Sequence, residues 1–186
     1  MEIRRATPRD LAAIEEIDGT IESHRYLHID RTGEGMQMGW RVEERPLRQR
    51  LIEPFRLDDC RRLALRQIVE GTDDGIALVA DNESQIVALG LAQANPDTSL
   101  LHILDVRVDS DHRRQGLASA IIFQMVQEAR SRSCRAIHAQ TTANNFPANQ
   151  MFSRLSFDLA GLDTHRRSNH DLVKESVTLF WYASLE

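Results

Sequence analysis

The sequence predicts an α/β fold with a mixed sheet, and three observations support this prediction. The chain has 186 residues, which is the length of one domain. Short apolar runs that suit β-strands alternate along it with stretches whose apolar residues recur at helical spacing. The order is strand, helix, helix, hairpin, strand, helix, strand, helix and strand, with no linker rich in Pro, Gly or Ser. We therefore expect residues 1-186 to form a single domain.

Composition indicates a folded chain with no strong general attraction to polyanions. Apolar residues make up 41% and charged residues 27%, which allows a core and argues against disorder. The formal net charge is -5, so we expect neither nucleic acid nor a membrane as a partner. The apolar runs are far shorter than the ~20 residues of a membrane span, and the charged start of the chain carries no apolar signal segment. We expect a cytoplasmic protein.

The basic residues and the cysteines limit which kinds of binding site the protein can have. Of the 23 basic residues only Lys174 is a lysine, so cationic sites consist of guanidinium groups, which suit phosphates and carboxylates. The two cysteines, Cys60 and Cys134, lie far apart in sequence, which excludes a disulfide scaffold and a cysteine-rich metal site. We expect two free thiols and no metal.

The first elements are a strand over residues 1–6 and a helix that follows it. Thr7 is the expected helix cap, and Pro8 suits the first helical position. The apolar face of this helix consists of Leu11, Ile14 and Ile17. Residues 19–56 show no clear pattern, and a helical pattern returns over residues 57–70.

The second half of the chain has the clearer pattern. Apolar runs at residues 76–80 and 86–94, separated by the polar residues 81–84, predict a β-hairpin, and residues 100–108 predict a longer strand. A long amphipathic helix follows, whose apolar face consists of Ala118, Ile121, Ile122, Met125, Val126 and Ala129. The remaining elements are a strand over 136–141, a short helix over 147–155 and a terminal strand over 177–182.

The most informative segment runs from Val106 to Ala118. A strand ends there, a basic turn follows, and a long helix begins after Gly116. The first N–H groups of a helix have no partner and carry a partial positive charge, so this turn predicts a site for a diphosphate. Gly116 permits close approach of the backbone, and Ala118 keeps the first turn free of bulk. The segment is neither a P-loop nor a dinucleotide fingerprint, because the lysine of the first and two glycines of the second are missing.

These residues resemble a known family. Residues 113–118, Arg-Arg-Gln-Gly-Leu-Ala, match the Arg/Gln-x-x-Gly-x-Gly/Ala signature of the GNAT superfamily of N-acetyltransferases. Residues 104–109 resemble the fourth strand of that family, and residues 145–157 resemble its second motif, Asn-x-x-Ala-x-x-Leu-Tyr-x-x-x-Gly-Phe. A narrower similarity to the streptothricin acetyltransferase branch is carried by residues 140–148, 160–163 and 179–182.

The resemblance implies a fold, a reaction and a co-substrate. It implies a GNAT-like single domain whose central sheet is mixed, mostly antiparallel, splayed and flanked by helices, with residues 19-56 as a variable substrate-side segment. It also implies acetyl-CoA, whose pantetheine arm pairs with a strand while its diphosphate meets the N–H groups of residues 114–118. The cofactor-binding residues implied in this way are Val106, Arg107, Val108, Arg113, Arg114, Gln115, Gly116, Leu117, Ala118, Ser119, Asn145, Ala148 and Phe152.

Acetyl transfer requires the attacking amine to lose a proton, because an amine of pKa near 10 is only ~0.1% neutral at pH 7. Our candidate for the general base is Asp105, which strand alternation places on the same face as Arg107 and Ile103. The alternative is a structural Asp105 that only makes hydrogen bonds. His102 is a weaker candidate for the base.

The usual proton donor to the departing thiolate is missing. Where many family members carry a tyrosine the chain has Phe152, and Ser156 stands in place of the glycine before the closing Phe of the motif. A thiolate leaves readily, so solvent can suffice, and Tyr182 or Tyr26 are candidates to replace the missing tyrosine. Asp105 and Tyr182 are the predicted catalytic residues.

The sequence leaves the acceptor open. The first hypothesis is an N-acetyltransferase that acts on a primary amine of a small molecule by direct attack in a ternary complex. The alternatives are a protein or peptide N-acetyltransferase and a catalytically weak acyl-CoA-binding module, which Phe152 keeps open. A homodimer is also left open, because many domains of this size form two-fold dimers.

Overall fold

The computed structural model describes residues 1–83 and 85–185. In chain order its helices and strands are β1 (Glu2–Arg5), α1 (Leu11–Glu15), β2 (Ile21–Glu34), β3 (Gln37–Glu53), α2 (Asp59–Glu70), β4 (Gly75–Asn82), β5 (Gln85–Asn95), β6 (Leu100–Val108), α3 (Leu117–Ser131), β7 (Ala136–Thr142), α4 (Phe146–Arg154), β8 (Asp158–Asp163) and β9 (Thr178–Ser184). One sheet has the strand order β1-β4-β5-β6-β7-β9-β8, and a separate sheet consists of β2 and β3. The β6–β7 pair is parallel, and the β1–β4, β4–β5 and β5–β6 pairs are antiparallel. The predicted α/β class with a mixed sheet is confirmed.

The chain divides into two compact units. Unit 1 consists of Met1–Thr20, Pro54–Ala139 and the last residues from Tyr182, and unit 2 consists of Ile21–Glu53 and Gln140–Trp181. The single domain stays a prediction.

The core of unit 1 lies on both faces of the β4–β5 hairpin. One face packs on α1 and α2 through the apolar residues Ile14, Ile17, Leu57, Leu65, Ala77, Val79, Ile86, Leu89 and Leu91. On the other face α3 comes close to β5 at Gly90, where a Cβ atom would stand 2.2 Å from Cγ2 of Ile121 and 2.6 Å from Cε of Met125. Glycine is needed for this approach. The hairpin and the helix α3 are as predicted, and Ser84 of the predicted turn lies outside the described residues.

The start of the first helix in unit 1 is fixed by Asp10 as well as by the predicted cap, Thr7. The helix begins with a 3-10 turn, Pro8–Asp10, and the Thr7 N–H donates to Oδ2 of Asp10 over 2.7 Å. Arg4 binds both oxygens of the same carboxylate at 2.8 and 2.9 Å. These hydrogen bonds, that from Arg4 above all, hold the pKa of Asp10 far below its usual range.

Unit 2 contains a long two-stranded ribbon in the segment whose pattern is unclear from sequence. The strands β2 and β3 pair antiparallel from Ile21 and Glu53 down to the turn between Glu34 and Gln37. Ion pairs between Arg25 and Glu44 and between Arg50 and Glu22 join them. The register shifts between Ser23 and Arg25, so apolar residues do not alternate along the ribbon.

The sequence predicts neither this ribbon nor β8 of unit 2. Several other elements differ from the prediction by one or two residues at their ends; α4, for example, begins at Phe146, and β9 begins at Thr178 and ends at Ser184. Such shifts are within the usual disagreement on where an element ends.

Candidate active site

In unit 1 the strand β6 has a free edge over its last residues. The parallel pairing with β7 covers only Leu100 to Ile103, whereas β6 continues to Val108. On the other side, Val108 is opposite Ala88 of β5, and the Asp109 N–H donates to the Val87 carbonyl over 2.9 Å. Because hydrogen-bonded pairs alternate in an antiparallel ladder, the main-chain groups of Val106 and Val108 face away from β5. They form an edge on which an extended molecule can pair.

A bulge changes the face on which the residues of β6 lie. Asp105 is opposite Leu91 of β5 and Ile103 is opposite the next residue, Ala92, so Leu104 is the additional residue. Strand partners point to the same face, and adjacent residues of β5 point to opposite faces. Asp105 and Ile103 therefore lie on opposite faces, and the prediction that they share one is wrong for this reason.

The turn between β6 and α3 has the backbone of an open cradle. Gly116 has φ +81°, and a Cβ atom built there meets no atom within 4 Å. Arg114 also has a positive φ, of 63°. The N–H groups of Leu117, Ala118 and Ser119 have no partner within the helix, whose first internal hydrogen bond runs from the Ala120 N–H to the Gly116 carbonyl over 2.9 Å. The turn can therefore receive an anion through main-chain donors.

Arg113 stabilises this turn through hydrogen bonds to main-chain carbonyl groups. Its Nε donates to the Val108 carbonyl over 3.0 Å, and its Nη2 donates to the Asp18 carbonyl over 2.9 Å. The guanidinium group thus joins the end of β6 to the segment after α1. Of the basic side chains predicted to bind the cofactor, this one is already engaged with carbonyl groups of the chain.

Asp105 and Arg107 form a buried ion pair. Arg107 donates from Nε to Oδ1 over 2.8 Å and from Nη2 to Oδ2 over 2.7 Å, and the two side chains are only 3% and 0% exposed for Arg107 and Asp105. Nη1 of Arg107 also donates to the Phe55 carbonyl at 3.4 Å, and Nε of Arg61 lies 3.7 Å from Oδ2 of Asp105. Both carboxylate oxygens are therefore occupied, which favours the structural alternative for Asp105.

Two of the catalytic candidates meet around a third residue that the sequence does not indicate. Nδ1 of His102 lies 2.8 Å from Nδ1 of His138, and their rings meet edge to face. The ring of Tyr182 lies against His138 with a centroid distance of 4.4 Å. Burial lowers the pKa of His102 below its ordinary value. His138 is missed because its contact depends on the register of two strands.

In unit 2 the motif residues after β7 form the start of α4. Asn145 caps this helix through its side-chain oxygen, which accepts from the Ala148 N–H over 3.4 Å. Phe152 is buried and packs against Phe157 and Trp181 at centroid distances of 5.1 and 6.3 Å. Whether these motif residues contact the cofactor, as the resemblance implies, stays a prediction.

The ribbon of unit 2 carries a chain of hydrogen bonds. The Tyr26 hydroxyl lies 3.0 Å from Nδ1 of His28, and Nε2 of His28 lies 2.8 Å from Oδ1 of Asp30. Burial raises the pKa of Tyr26, and the carboxylate of Glu175 raises it further. An open groove of about 460 Å³ lies on this unit, and it is lined by Leu47, Arg48, Gln49, Arg50, Leu51, Asn144, Lys174 and Glu175.

Other kinds of site have no support in the described part of the chain. Cys60 is exposed and Cys134 half-buried, and both are free thiols. Among residues 1–83 and 85–185, no group of three or more His, Cys, Asp or Glu side chains is placed to hold a metal ion. Within the same residues, no helix is both long enough and apolar enough to cross a membrane.

Comparison with known proteins identifies the family. The family model described as Acetyltransferase (GNAT) family matches residues 39–157. A streptothricin acetyltransferase of Streptomyces lavendulae is 24% identical over 163 residues, which are 88% of this chain and 84% of the relative. Among solved structures, nourseothricin acetyltransferase superposes with a TM-score of 0.79 at 22% identity, covering 100% of this chain and 98% of the other.

A second solved structure, from Bacillus anthracis str. Ames, is described as a streptothricin acetyltransferase in complex with acetyl coenzyme A. It has a TM-score of 0.77 at 21% identity and covers 98% of both chains. At these identities the two structures establish the shared fold. The family match covers the free edge of β6, the Gly116 turn and the start of α4. The chain therefore belongs to the GNAT family and is an acetyltransferase that depends on acetyl-CoA.

Proposed function

We propose that this enzyme transfers the acetyl group of acetyl-CoA to a primary amine of a small molecule, by direct attack in a ternary complex. The observation that carries the proposal is the combination, in unit 1, of a free β6 edge with the open turn at Gly116. The Streptomyces lavendulae relative is named for the antibiotic streptothricin, and this name supports a small amine as acceptor.

The residues of unit 1 fit acetyl-CoA. The N–H groups of the turn from Arg114 to Ser119 supply donors for the diphosphate, and the helix dipole favours its negative charge. The pantetheine arm carries amide groups, which pair as an added strand does with the main chain of Val106 and with the N–H of Val108, whose carbonyl already accepts from Arg113. Arg107 contributes neither edge nor side chain to this pairing, because its main chain faces β5 and its guanidinium group binds Asp105. We propose that it acts by holding β6 in shape.

The chemistry that remains for the chain is orientation and proton transfer. When acetyl-CoA is bound it supplies a thioester, an acyl donor with a good leaving group. Phe152 has no proton to donate, and its ring is enclosed by Phe157 and Trp181. Tyr182 of β9 retains a hydroxyl and is half-buried, so we propose it as the residue that protonates the departing sulfur.

The test is an assay of CoA release with matched acceptors. We expect free thiol to appear when acetyl-CoA is mixed with small primary amines, a streptothricin-type antibiotic among them, and not when it is mixed with peptides that carry the same amine. Release with peptides alone would favour the protein N-acetyltransferase.

A thermal unfolding measurement beside this assay separates an enzyme from a binding module. Acetyl-CoA should raise the thermal unfolding temperature of the protein in the absence of any amine. A rise in this temperature without CoA release for any acceptor would identify an acyl-CoA-binding module. No rise at millimolar acetyl-CoA would contradict the site at Gly116.

A further inference from the structure

We propose that His102 takes the proton from the acceptor amine and that His138 orients it for this step. The inference rests on the proposed transfer to an amine and names the base of that reaction. It replaces Asp105, whose carboxylate oxygens both bind Arg107 and whose side chain has no exposed surface.

The position of His102 follows from the direction of β6. The diphosphate turn comes directly after Val108, so the arm of the cofactor runs back along the free edge, from Val108 toward Leu104. Four residues of strand span about 13 Å. At that end lies the last pair of the β6–β7 ladder, in which Ile103 is opposite Ala139. The acyl end of the arm is therefore expected where the two strands meet, one residue from His102.

His102 lies on the same face of the strand as Asp105. Its register partner on β5 is Gln93, and the partner of Asp105 is Leu91. Residues two apart on β5 point to the same face, so His102 shares the face of Asp105 despite the bulge between them. The residue is half-buried, in contrast to Asp105, so part of its surface is accessible.

The short contact between the two histidines is central to the proposal, which assigns His102 the tautomer that carries its proton on Nδ1. A distance of 2.8 Å between two Nδ1 atoms is a hydrogen bond, and it holds one proton. When His102 donates this proton, its own Nε2 is unprotonated and acts as a base. The imidazolium that forms keeps its Nδ1–H bond to His138, as the histidine of a catalytic triad keeps its bond to an orienting acceptor.

The surroundings keep His102 neutral at pH 7. Its facing groups are Gln93 on β5, whose amide donates to the Asp73 carboxylate over 2.5 Å, and His138 on β7, against which Tyr182 of β9 lies. Burial lowers the pKa of His102. A neutral imidazole at pH 7 is the form that a base requires.

The proton and electron balance is complete. One ammonium proton moves to Nε2 of His102, the freed electron pair of nitrogen forms the N–C bond, and the C–S bond breaks with its electrons on sulfur. The nitrogen gives up a second proton as the amide forms. Of the two protons released, one ends on the sulfur and the other passes from His102 to solvent.

The variant His102→Asn tests the proposal, because its amide nitrogen replaces Nδ1 as a donor to His138 while the titrating group is lost. We expect kcat/KM for the amine at pH 7 to fall by about 10²-fold or more. The defect should shrink as the pH approaches the pKa of the amine, since a free amine needs no base. Acetyl-CoA affinity should be unchanged. The control is His165→Asn, at an exposed position of unit 2, which should match the wild type.

The outcomes separate this inference from the proposed function. Unchanged kcat/KM, or a loss of equal size at every pH, would overturn the role of His102 while leaving the transferase intact. A wild type that releases no CoA with any amine would overturn both. If the variant does not fold, the acidic limb of the wild-type kcat/KM profile is compared with the titration of His102 followed by NMR, and a mismatch overturns the proposal.

Discussion

At the scale of single residues, the buried ion pair of Asp105 and Arg107 has the largest energetic consequence. Burying two charges costs several kcal/mol each, and only close pairing with further hydrogen bonds compensates for it. Here the pairing is bidentate, and the Phe55 carbonyl and ring also face the guanidinium group. Removal of one charge leaves the other buried without a counter-charge.

We therefore predict that Asp105→Asn lowers the free energy of unfolding by about 3 kcal/mol. The measurement is urea unfolding at pH 7. The acidic limb of the kcat/KM profile should persist in this variant, because the residue holds Arg107 and is not the base.

The matched control is Asp59→Asn, since Asp59 pairs with Arg62 on the surface and its side chain is 98% exposed. An exposed pair of this kind contributes little, so no measurable change is expected. Loss of the acidic limb in Asp105→Asn would return Asp105 to the role of general base.

At the scale of elements, the start of α3 is held in a conformation that only glycine adopts without strain. Gly116 and Gly71 both have φ values in the left-handed region, +81° and +75°, and a Cβ atom at either meets nothing within 4 Å. They differ in place, because Gly71 ends α2 and Gly116 precedes α3. Comparing substitutions at these two positions therefore distinguishes the effect of backbone strain from the effect of losing a binding site.

We predict that Gly116→Val raises the dissociation constant of acetyl-CoA by about 10- to 100-fold, the effect of losing one or two charge-assisted main-chain hydrogen bonds. Gly71→Val introduces the same strain, about 1–2 kcal/mol, at the other helix. Calorimetry should show unchanged affinity for Gly71→Val. Equal affinities in both variants would contradict the binding of the diphosphate at the Gly116 turn.

How much of these elements is predictable depends on how local their pattern is. Helix α3 is predicted because its apolar stripe is complete, and Met125 and Ile121 indeed lie on the core. The ribbon of β2 and β3 is missed because its buried residues on β2, Ser23, Tyr26 and Ile29, are spaced by three, and charged pairs provide much of its cross-strand contact. Neither feature is a signal for a strand.

The same distinction applies to the candidate site. Gly116 is recognisable because its neighbours in sequence form the motif. The prediction that Ile103 shares a face with Asp105 is wrong because the bulge at Leu104 is visible only in the pairing of β6 with β5. His138 is 36 residues from His102 in sequence, so their contact exists only once β6 and β7 have paired.

At the scale of the whole molecule, each unit holds a carboxylate that depends on being charged. In unit 1 the pKa of Asp10 is lowered, chiefly by the hydrogen bonds of Arg4. In unit 2 burial alone would raise the pKa of Asp171, but hydrogen bonds from the Arg167 N–H and from Ser168 and Ser176 together lower it. Acid is therefore expected to weaken both units.

The sign of the pH dependence follows from these shifts. A carboxyl whose pKa is lower in the folded state than in the unfolded chain binds fewer protons when folded, so stability increases with pH in that range. The contribution is fully present above the unfolded value of about 3.9 and is lost as the pH falls toward the folded pKa.

We predict that the free energy of unfolding decreases slightly from pH 7 to about 5, because the pKa of His102 is lowered by burial and the unfolded chain binds more protons there, and then decreases more steeply as the pH is lowered further. Asp10→Asn and Asp171→Asn should each be less stable than the wild type at pH 7 and should each lose less stability between pH 5 and 3. Urea midpoints measured across this range, with fluorescence and circular dichroism as probes, test the difference. If either variant loses as much stability in acid as the wild type does, its carboxylate does not carry the acid sensitivity. The hydrogen bonds that this carboxylate accepts would then contribute equally to stability whether the group is charged or protonated.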